Sequence, residues 1–152
     1  MMLNIPGAVR PVNRTRALLL AALLLHALVK LWFVSGVELG KDEAVYWYWS
    51  QHLDAAYALI PFAVIKLLGS LLPGSETMLR LGSVLVGSGS VLLAYHLCLR
   101  FGLDSKHCVW GATVFAACHW TWHTSSFLHP DGFLVFFWLL TLERTVAWRD
   151  RL

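Results

Sequence analysis

Charged residues are scarce in this sequence. Only 14% of its 152 residues are Asp, Glu, Lys or Arg, whereas 58% are hydrophobic and the mean hydropathy is +0.63. Because soluble domains carry about a quarter charged residues, this composition excludes a water-soluble globular domain. The net charge of +3 comes from basic residues at the ends of apolar segments, not from a basic stripe, so we expect no nucleic-acid partner. The composition therefore predicts an integral membrane protein.

Cysteine is also scarce, and its spacing argues against a structural zinc site. Cys98, Cys108 and Cys118 lie ten residues apart and form no CxxC pair. We expect all three to be buried thiols within helices.

Long apolar runs predict an all-α membrane protein with about four transmembrane helices. The first run, residues 17–37, reaches about 30 Å as a helix, which is the thickness of the hydrocarbon layer. Arginines precede it, as in a signal peptide, but its bulky Leu, Trp and Phe residues favour an uncleaved anchor. The other predicted spans are 81–99, 108–126 and 132–148.

The region from 38 to 80 is predicted to be a long external loop with interfacial helices. Its apolar stretch 55–72 contains Pro61 and Lys66, so it is either a fifth span or a pair of helices at the interface. The positive-inside rule favours four spans, because a fifth would move the C-terminal arginines outside. Residues 1–16 and the C-terminus are then cytoplasmic.

Two features within the spans indicate helix contacts. Small side chains recur along one face of the second span: Ser83, Gly87, Ser90 and Ala94. Such a face lets another helix, from the same chain or another, approach closely. Lys30 lies inside the first span, where a charge either snorkels to the interface or faces a polar cavity. The neighbouring Trp32 and Phe33 favour snorkelling.

An acidic pair opens the external loop. Asp42 and Glu43 follow the first span and precede the aromatic run 46–49, which suits the membrane interface. A partly desolvated carboxylate at that depth can act as a general base. The alternative is that the pair caps a helix, since carboxylates stabilise a helix N-terminus.

A second polar cluster ends the third span. His119 and His123 share a helix face, a spacing that can supply two metal ligands, although no Glu completes an HExxH motif. His129 and Asp131 follow, with Pro130 between them. Asp131 opens the fourth span, where it is either a helix cap or a site residue.

The order of these features resembles the N-terminal part of the membrane glycosyltransferases of the GT-C class. The likeness is to bacterial members related to the protein O-mannosyltransferases and to the aminoarabinose transferases that modify lipid A. It covers residues 17–152, and the run from Asp42 to Asp54 is its most specific motif. The resemblance implies one GT-C-like transmembrane module.

The resemblance implies transfer of a sugar from a polyprenyl phosphate to an acceptor at the external face of the bacterial cytoplasmic membrane. Asp42 is the implied catalytic base, with Glu43 in support. Tyr57, His129 and Asp131 are the expected substrate-binding residues. Membrane lipids and the lipid-linked donor are the expected partners. A divalent metal is compatible with this chemistry but not required.

Two departures from the family pattern bear on activity. After Tyr57 the family carries polar residues that help hold the donor's phosphate, whereas this chain has Ala58, Leu59 and Ile60 before Pro61. Family enzymes also continue through many more spans. We therefore expect a truncated transferase module that a partner chain completes with further helices. The alternative is a non-catalytic membrane protein that keeps the fold for binding or assembly.

Overall fold

The computed structural model describes residues 12–53 and 59–149, and within them the chain is entirely helical. Its seven helices are α1 Val12–Ser35, α2 Lys41–Gln51, α3 Leu59–Leu71, α4 Glu76–Arg100, α5 Ser105–Ala117, α6 His119–Ser126 and α7 Pro130–Arg149. These residues contain no strand, which confirms the predicted all-α class. Asp54 and Tyr57 lie outside the described residues.

The predicted count of four spans is not confirmed. Among the described residues, only α4 is long and apolar enough to cross a membrane by itself. Helices α6 and α7 pass the same test together, but they are bent by 114° at the break between them. Shorter apolar helices run over Leu19–Ser35 and Leu59–Leu71. The second and fourth predicted spans nevertheless fall within single helices, α4 and α7.

The third predicted span, 108–126, is two helices rather than one. Cys118 leaves the helical conformation (φ −58°, ψ 130°) and separates α5 from α6. It is also exposed, so the expected burial of all three thiols is wrong at this position, while Cys108 is buried. Helix α6 is short and rich in hydroxyl and imidazole side chains, and it is held by contacts with other helices. Counting apolar residues over 108–126 does not reveal the break, because Trp and Cys both count as apolar.

Helix α4 forms the centre of the fold. It packs against α1, α3, α5, α6 and α7. An apolar cluster beside its first turns consists of Phe62, Ile65, Leu79 and Leu128. A second cluster joins its later turns to α5 and consists of Val91, Tyr95, Cys108 and Ala112. The two clusters therefore lie at different levels along the same helix.

The small-residue face of α4 packs closely against another helix of the same chain. Ser83, Gly87 and Ser90 are buried. A Cβ added at Gly87 would lie 2.0 Å from the Cβ of Ser125 on α6, a separation that real Cβ atoms do not show. The predicted close contact of this face with another helix is confirmed, and that helix is α6.

Lys30 does not snorkel, so that prediction is wrong. Its side chain is completely buried, donates a hydrogen bond to the Ser125 hydroxyl and lies 5.0 Å from the centre of the Trp122 ring. Because α6 folds back against α1, it offers the ammonium group a hydroxyl and an aromatic face in place of water. The same contacts fix α6 against α1.

We expect Gly87→Ala to lower the free energy of unfolding by about 1–3 kcal/mol, because overpacking forces neighbouring groups to shift. Gly111→Ala on α5 is the matched control. Its added Cβ would meet the Cys98 sulfur at 3.4 Å, an ordinary contact. Alanine is also the better helix former, so this control should be neutral or stabilising. Equal melting temperatures for the two purified variants in detergent would contradict the close contact.

Candidate functional site

A buried ion pair fixes the start of α2. Arg80 of α4 donates from Nε to Glu43 Oε1 at 2.8 Å and from Nη2 to Glu43 Oε2 at 2.7 Å. The Arg80 side chain has no exposed surface, and that of Glu43 is 7% exposed. Two parallel bonds between a guanidinium and a carboxylate define the relative orientation of both groups. The pair therefore joins α2 rigidly to α4.

Arg80 also binds carbonyl groups at the end of α1. Its Nη1 donates to the carbonyls of Val34 at 2.7 Å and Val37 at 2.6 Å, and its Nη2 donates to the carbonyl of Glu38 at 3.0 Å. The last carbonyls of a helix have no partner further along it. Arg80 supplies those partners, so one side chain holds the end of α1 beside the start of α2.

Glu43 accepts two further hydrogen bonds from the backbone. Gly40 donates to its Oε2 at 3.0 Å, and Leu128, in the turn between α6 and α7, donates to its Oε1 at 2.8 Å. Burial by itself raises the pKa of the Glu43 carboxyl, but the bonds from Arg80, Leu128 and Gly40 outweigh burial and hold the pKa below its usual value. Glu43 therefore stays ionised and ties the α6–α7 turn to α2.

A cleft of about 400 Å³ lies beside this ion pair. It is lined by the α1–α2 turn, the first turns of α2 and the end of α6 with the turn that follows. Its polar lining residues are Glu38, Lys41, Asp42, Glu43, Tyr46, His123 and His129. The Asp42 side chain is exposed there. The structure thus brings together three residues that the sequence predicted for the site: Asp42, Glu43 and His129.

His129 has a defined orientation in the cleft. The Asp131 backbone N–H donates to its Nδ1 at 3.2 Å, so the neutral ring carries its hydrogen on Nε2. The Asp131 carboxylate is 3.7 Å from Nδ1, which is too far for a hydrogen bond. The rings of Tyr46 and Trp120 contact His129 edge-on, with centroids 5.6 and 5.9 Å away. These contacts leave His129 with one N–H donor for a ligand.

Asp131 lines a different cleft. This second cleft, of about 590 Å³, lies between the start of α3 and the start of α7. Its other lining residues are all apolar: Leu59, Ile60, Pro61, Pro130, Phe133, Leu134 and Phe137. Asp131 therefore adjoins the Asp42 cleft only through His129. Tyr57, the remaining predicted substrate-binding residue, lies outside the described residues.

The histidine pair predicted as a weak metal site has no third ligand in the described part of the chain. His119 and His123 are both exposed, with ring centroids 6.3 Å apart. No group of three or more His, Cys, Asp or Glu side chains among residues 12–53 and 59–149 is arranged to bind a metal ion. Of the pair, His123 lines the Asp42 cleft instead.

Arg80 is the site residue that the sequence analysis missed. The sequence analysis placed it at the end of the predicted loop 38–80, directly before the second predicted span, and gave it no role in the site. The available signal was its position at the start of an apolar helix, because a charged group there needs a partner. Its partners Glu43 and Val34 lie 37 and 46 residues earlier in the chain, and no local sequence pattern identifies them.

Comparison with known families identifies the class of protein as a glycosyltransferase-like membrane module. The family described as dolichyl-phosphate-mannose-protein mannosyltransferase matches residues 60–151, and this chain belongs to it. No curated protein and no solved structure matches the chain. The matched segment contains Arg80, His129 and Asp131 but begins after Asp42 and Glu43.

We expect Arg80→Met to destabilise the protein by about 3–5 kcal/mol, because it leaves a buried carboxylate without its cation. Arg144→Met on α7 is the matched control. The Arg144 side chain is 75% exposed and lies 3.6 Å from Glu143, which keeps its 2.7 Å bond from Arg100, so the loss of Arg144 should cost about 1 kcal/mol or less. Chemical unfolding of both variants in detergent measures the difference, and losses of the same size would refute the structural role of Arg80.

Proposed function

We propose that this chain transfers a sugar from a polyprenyl-phosphate donor to a hydroxyl acceptor at the external face of a bacterial cytoplasmic membrane, with Asp42 as the catalytic base. Family membership supports transfer from a lipid-linked sugar. The observation that carries the assignment of Asp42 is its exposure in a polar cleft whose wall is fixed by the buried Glu43–Arg80 pair. An exposed carboxylate on a rigid helix start can be reached by an acceptor, and the anchored backbone keeps it at the cleft.

The proposed reaction is a single displacement at the anomeric carbon. The acceptor oxygen forms a bond to that carbon, the acceptor's proton passes to the Asp42 carboxylate, and the bond from the carbon to the phosphate oxygen breaks with its electron pair on oxygen. The donor phosphodiester carries one negative charge, whereas the polyprenyl phosphate leaves with two, because the electron pair of the broken bond stays on its oxygen. The reaction therefore needs a base at one end of the sugar and stabilisation of negative charge at the other.

Glu43 has a positioning role in this proposal. Both of its oxygens already accept hydrogen bonds from Arg80, and each accepts one more from the backbone. Protonation of Glu43 during turnover would weaken all of these contacts. Asp42, one residue earlier, has an exposed side chain, which supports its assignment as the base.

A second candidate is a membrane protein that uses this fold for binding or assembly without catalysis. The observation in its favour is the apolar cleft at Leu59, Ile60 and Pro61, where the family carries polar groups that hold the donor's phosphate. The transferase proposal includes a partner chain that contributes further helices to the donor cavity. The exposed side chains of Leu28, Trp32 and Trp138 offer apolar surface for such a chain or for lipid.

We expect Asp42→Asn to reduce sugar transfer about a hundredfold or more, because removal of a general base typically costs that much. Stability should change by less than about 1 kcal/mol, since Asp42 is exposed, lies after the N-cap residue Gly40 and loses only its interaction with the helix dipole. Glu38→Gln is the matched control, because Glu38 lines the same cleft from the preceding turn and its side chain is exposed. Transfer is measured with a lipid-linked radiolabelled sugar in proteoliposomes. Full activity of Asp42→Asn, or an equal loss in Glu38→Gln, would exclude Asp42 as the specific base.

The proposed topology predicts opposite accessibility at the two ends of α4. This helix has 25 residues and is about 37 Å long, enough to cross the bilayer. In a variant whose native cysteines are alanine, Ser75→Cys should react with an impermeant maleimide added outside the cell. Asp104→Cys should react only after the membrane is permeabilised, as the positive-inside rule requires. Labelling of both positions from the same side would overturn this topology.

A further inference from the structure

We propose that Lys41, His123 and His129 form the binding site for the donor's phosphate, in the same cleft as Asp42. This inference rests on the proposed function and makes it more specific. It assigns the phosphate to the start of α2 and the end of α6, not to the start of α3, where the family carries its phosphate-binding residues. The ligand class is an isoprenyl phosphate monoester or its sugar phosphodiester.

The need for such a site follows from charge. Negative charge that develops on the leaving phosphate requires cations or hydrogen-bond donors aimed at its oxygens. The cleft at the start of α3 offers neither, because its described lining residues are apolar apart from the carboxylate of Asp131. The Asp131 carboxylate supplies neither positive charge nor a hydrogen-bond donor. The charge has to be stabilised elsewhere.

Lys41 is the lysine that the backbone brings to the Asp42 cleft. It is the first residue of α2, after the N-cap residue Gly40 (φ −68°, ψ 167°). Its side chain is exposed, lines the cleft and pairs with no carboxylate among the described residues. Lys66, the other lysine of this region, lines a separate cavity with Trp47 and Gln51. Lys41 can therefore place its ammonium group on a ligand in the cleft.

The two histidines supply donors on the opposite wall. The Nδ1 of His129 is occupied by the Asp131 N–H, so Nε2–H is the donor left for a ligand. His123 lines the same cleft, with its ring centroid 6.1 Å from that of His129. A phosphate between α2 and this wall would meet one cation and two imidazole groups.

Three carboxylates line the cleft: Glu38, Asp42 and Glu43. Glu43 is already paired with Arg80, and the Glu38 side chain is exposed, where water and salt screen its charge. Lys41 and Asp42 are consecutive on a helix, so their side chains leave the axis about 100° apart. A displacement at the anomeric carbon needs the base and the leaving phosphate on opposite sides of the sugar. Helix positions about 100° apart let the two side chains contact different parts of one ligand in the cleft.

The test measures binding of farnesyl phosphate, with farnesol as the uncharged counterpart, to the purified full chain in detergent. Calorimetry should show that farnesyl phosphate binds more tightly than farnesol. Lys41→Gln and His129→Gln should each weaken farnesyl phosphate binding about tenfold, the effect of losing one charge-assisted contact. Lys66→Gln is the matched control, because this exposed lysine lines the other cavity and should leave binding unchanged.

Equal affinity for farnesol and farnesyl phosphate would overturn the phosphate site, as would equal losses in Lys41→Gln and Lys66→Gln. Thermal unfolding of the variants separates lost binding from lost folding, since the exposed Lys41 should not affect stability. Asp42→Asn should still bind farnesyl phosphate while it loses transfer. Phosphate-dependent binding without any transfer by the wild-type chain would support the site and refute the transferase function. Transfer that is insensitive to Lys41→Gln would refute the site alone.

Discussion

The fold depends on one buried guanidinium group. Arg80 makes five hydrogen bonds, two to the Glu43 carboxylate and three to carbonyls at the end of α1 and in the turn after it, and its guanidinium lies 5.6 Å from the centre of the Phe127 ring. Taking a charged pair out of water is costly, and the cost is repaid only when the geometry is good and the remaining donors are bonded. Here all of those partners are present. The pair therefore acts as the junction of α1, α2, α4 and the α6–α7 turn.

This junction explains why two adjacent carboxylates have different environments. Glu43 faces the junction and is bonded at both oxygens, whereas Asp42, one residue earlier on the helix, faces the cleft and is exposed. The same carboxylate that anchors α2 also receives the N–H of Leu128, and Leu128 precedes His129. The two walls of the cleft are thus held by one side chain, and their separation does not depend on a flexible loop.

The sequence predicted the structural features that depend on local residue patterns. The helical class, the helices that contain the second and fourth predicted spans and the closely packed face around Gly87 all follow from hydrophobic period and residue size. The break at Cys118 and the burial of Lys30 did not follow, because α6 is held by tertiary contacts of its Ser125 and Trp122 with Lys30 of α1, which composition does not encode. The proximity of Asp42 to His129 came from resemblance to a family. The role of Arg80 depends on partners that are distant in sequence, so no local residue pattern predicted it.

The capping of α1 by Arg80 has a consequence for biosynthesis. Val34 and Arg80 are 46 residues apart. The end of α1 therefore leaves the ribosome well before Arg80, whose side chain binds its carbonyl. Until α4 packs on α1, the terminal carbonyls of α1 and the Glu43 carboxylate have to be hydrated. Docking of α4 on α1 then joins the start of α2 to the rest of the fold. A nascent chain stopped before α4 would present Asp42 on a helix that can pack against α3 but lacks the bonds from Arg80 to Glu43.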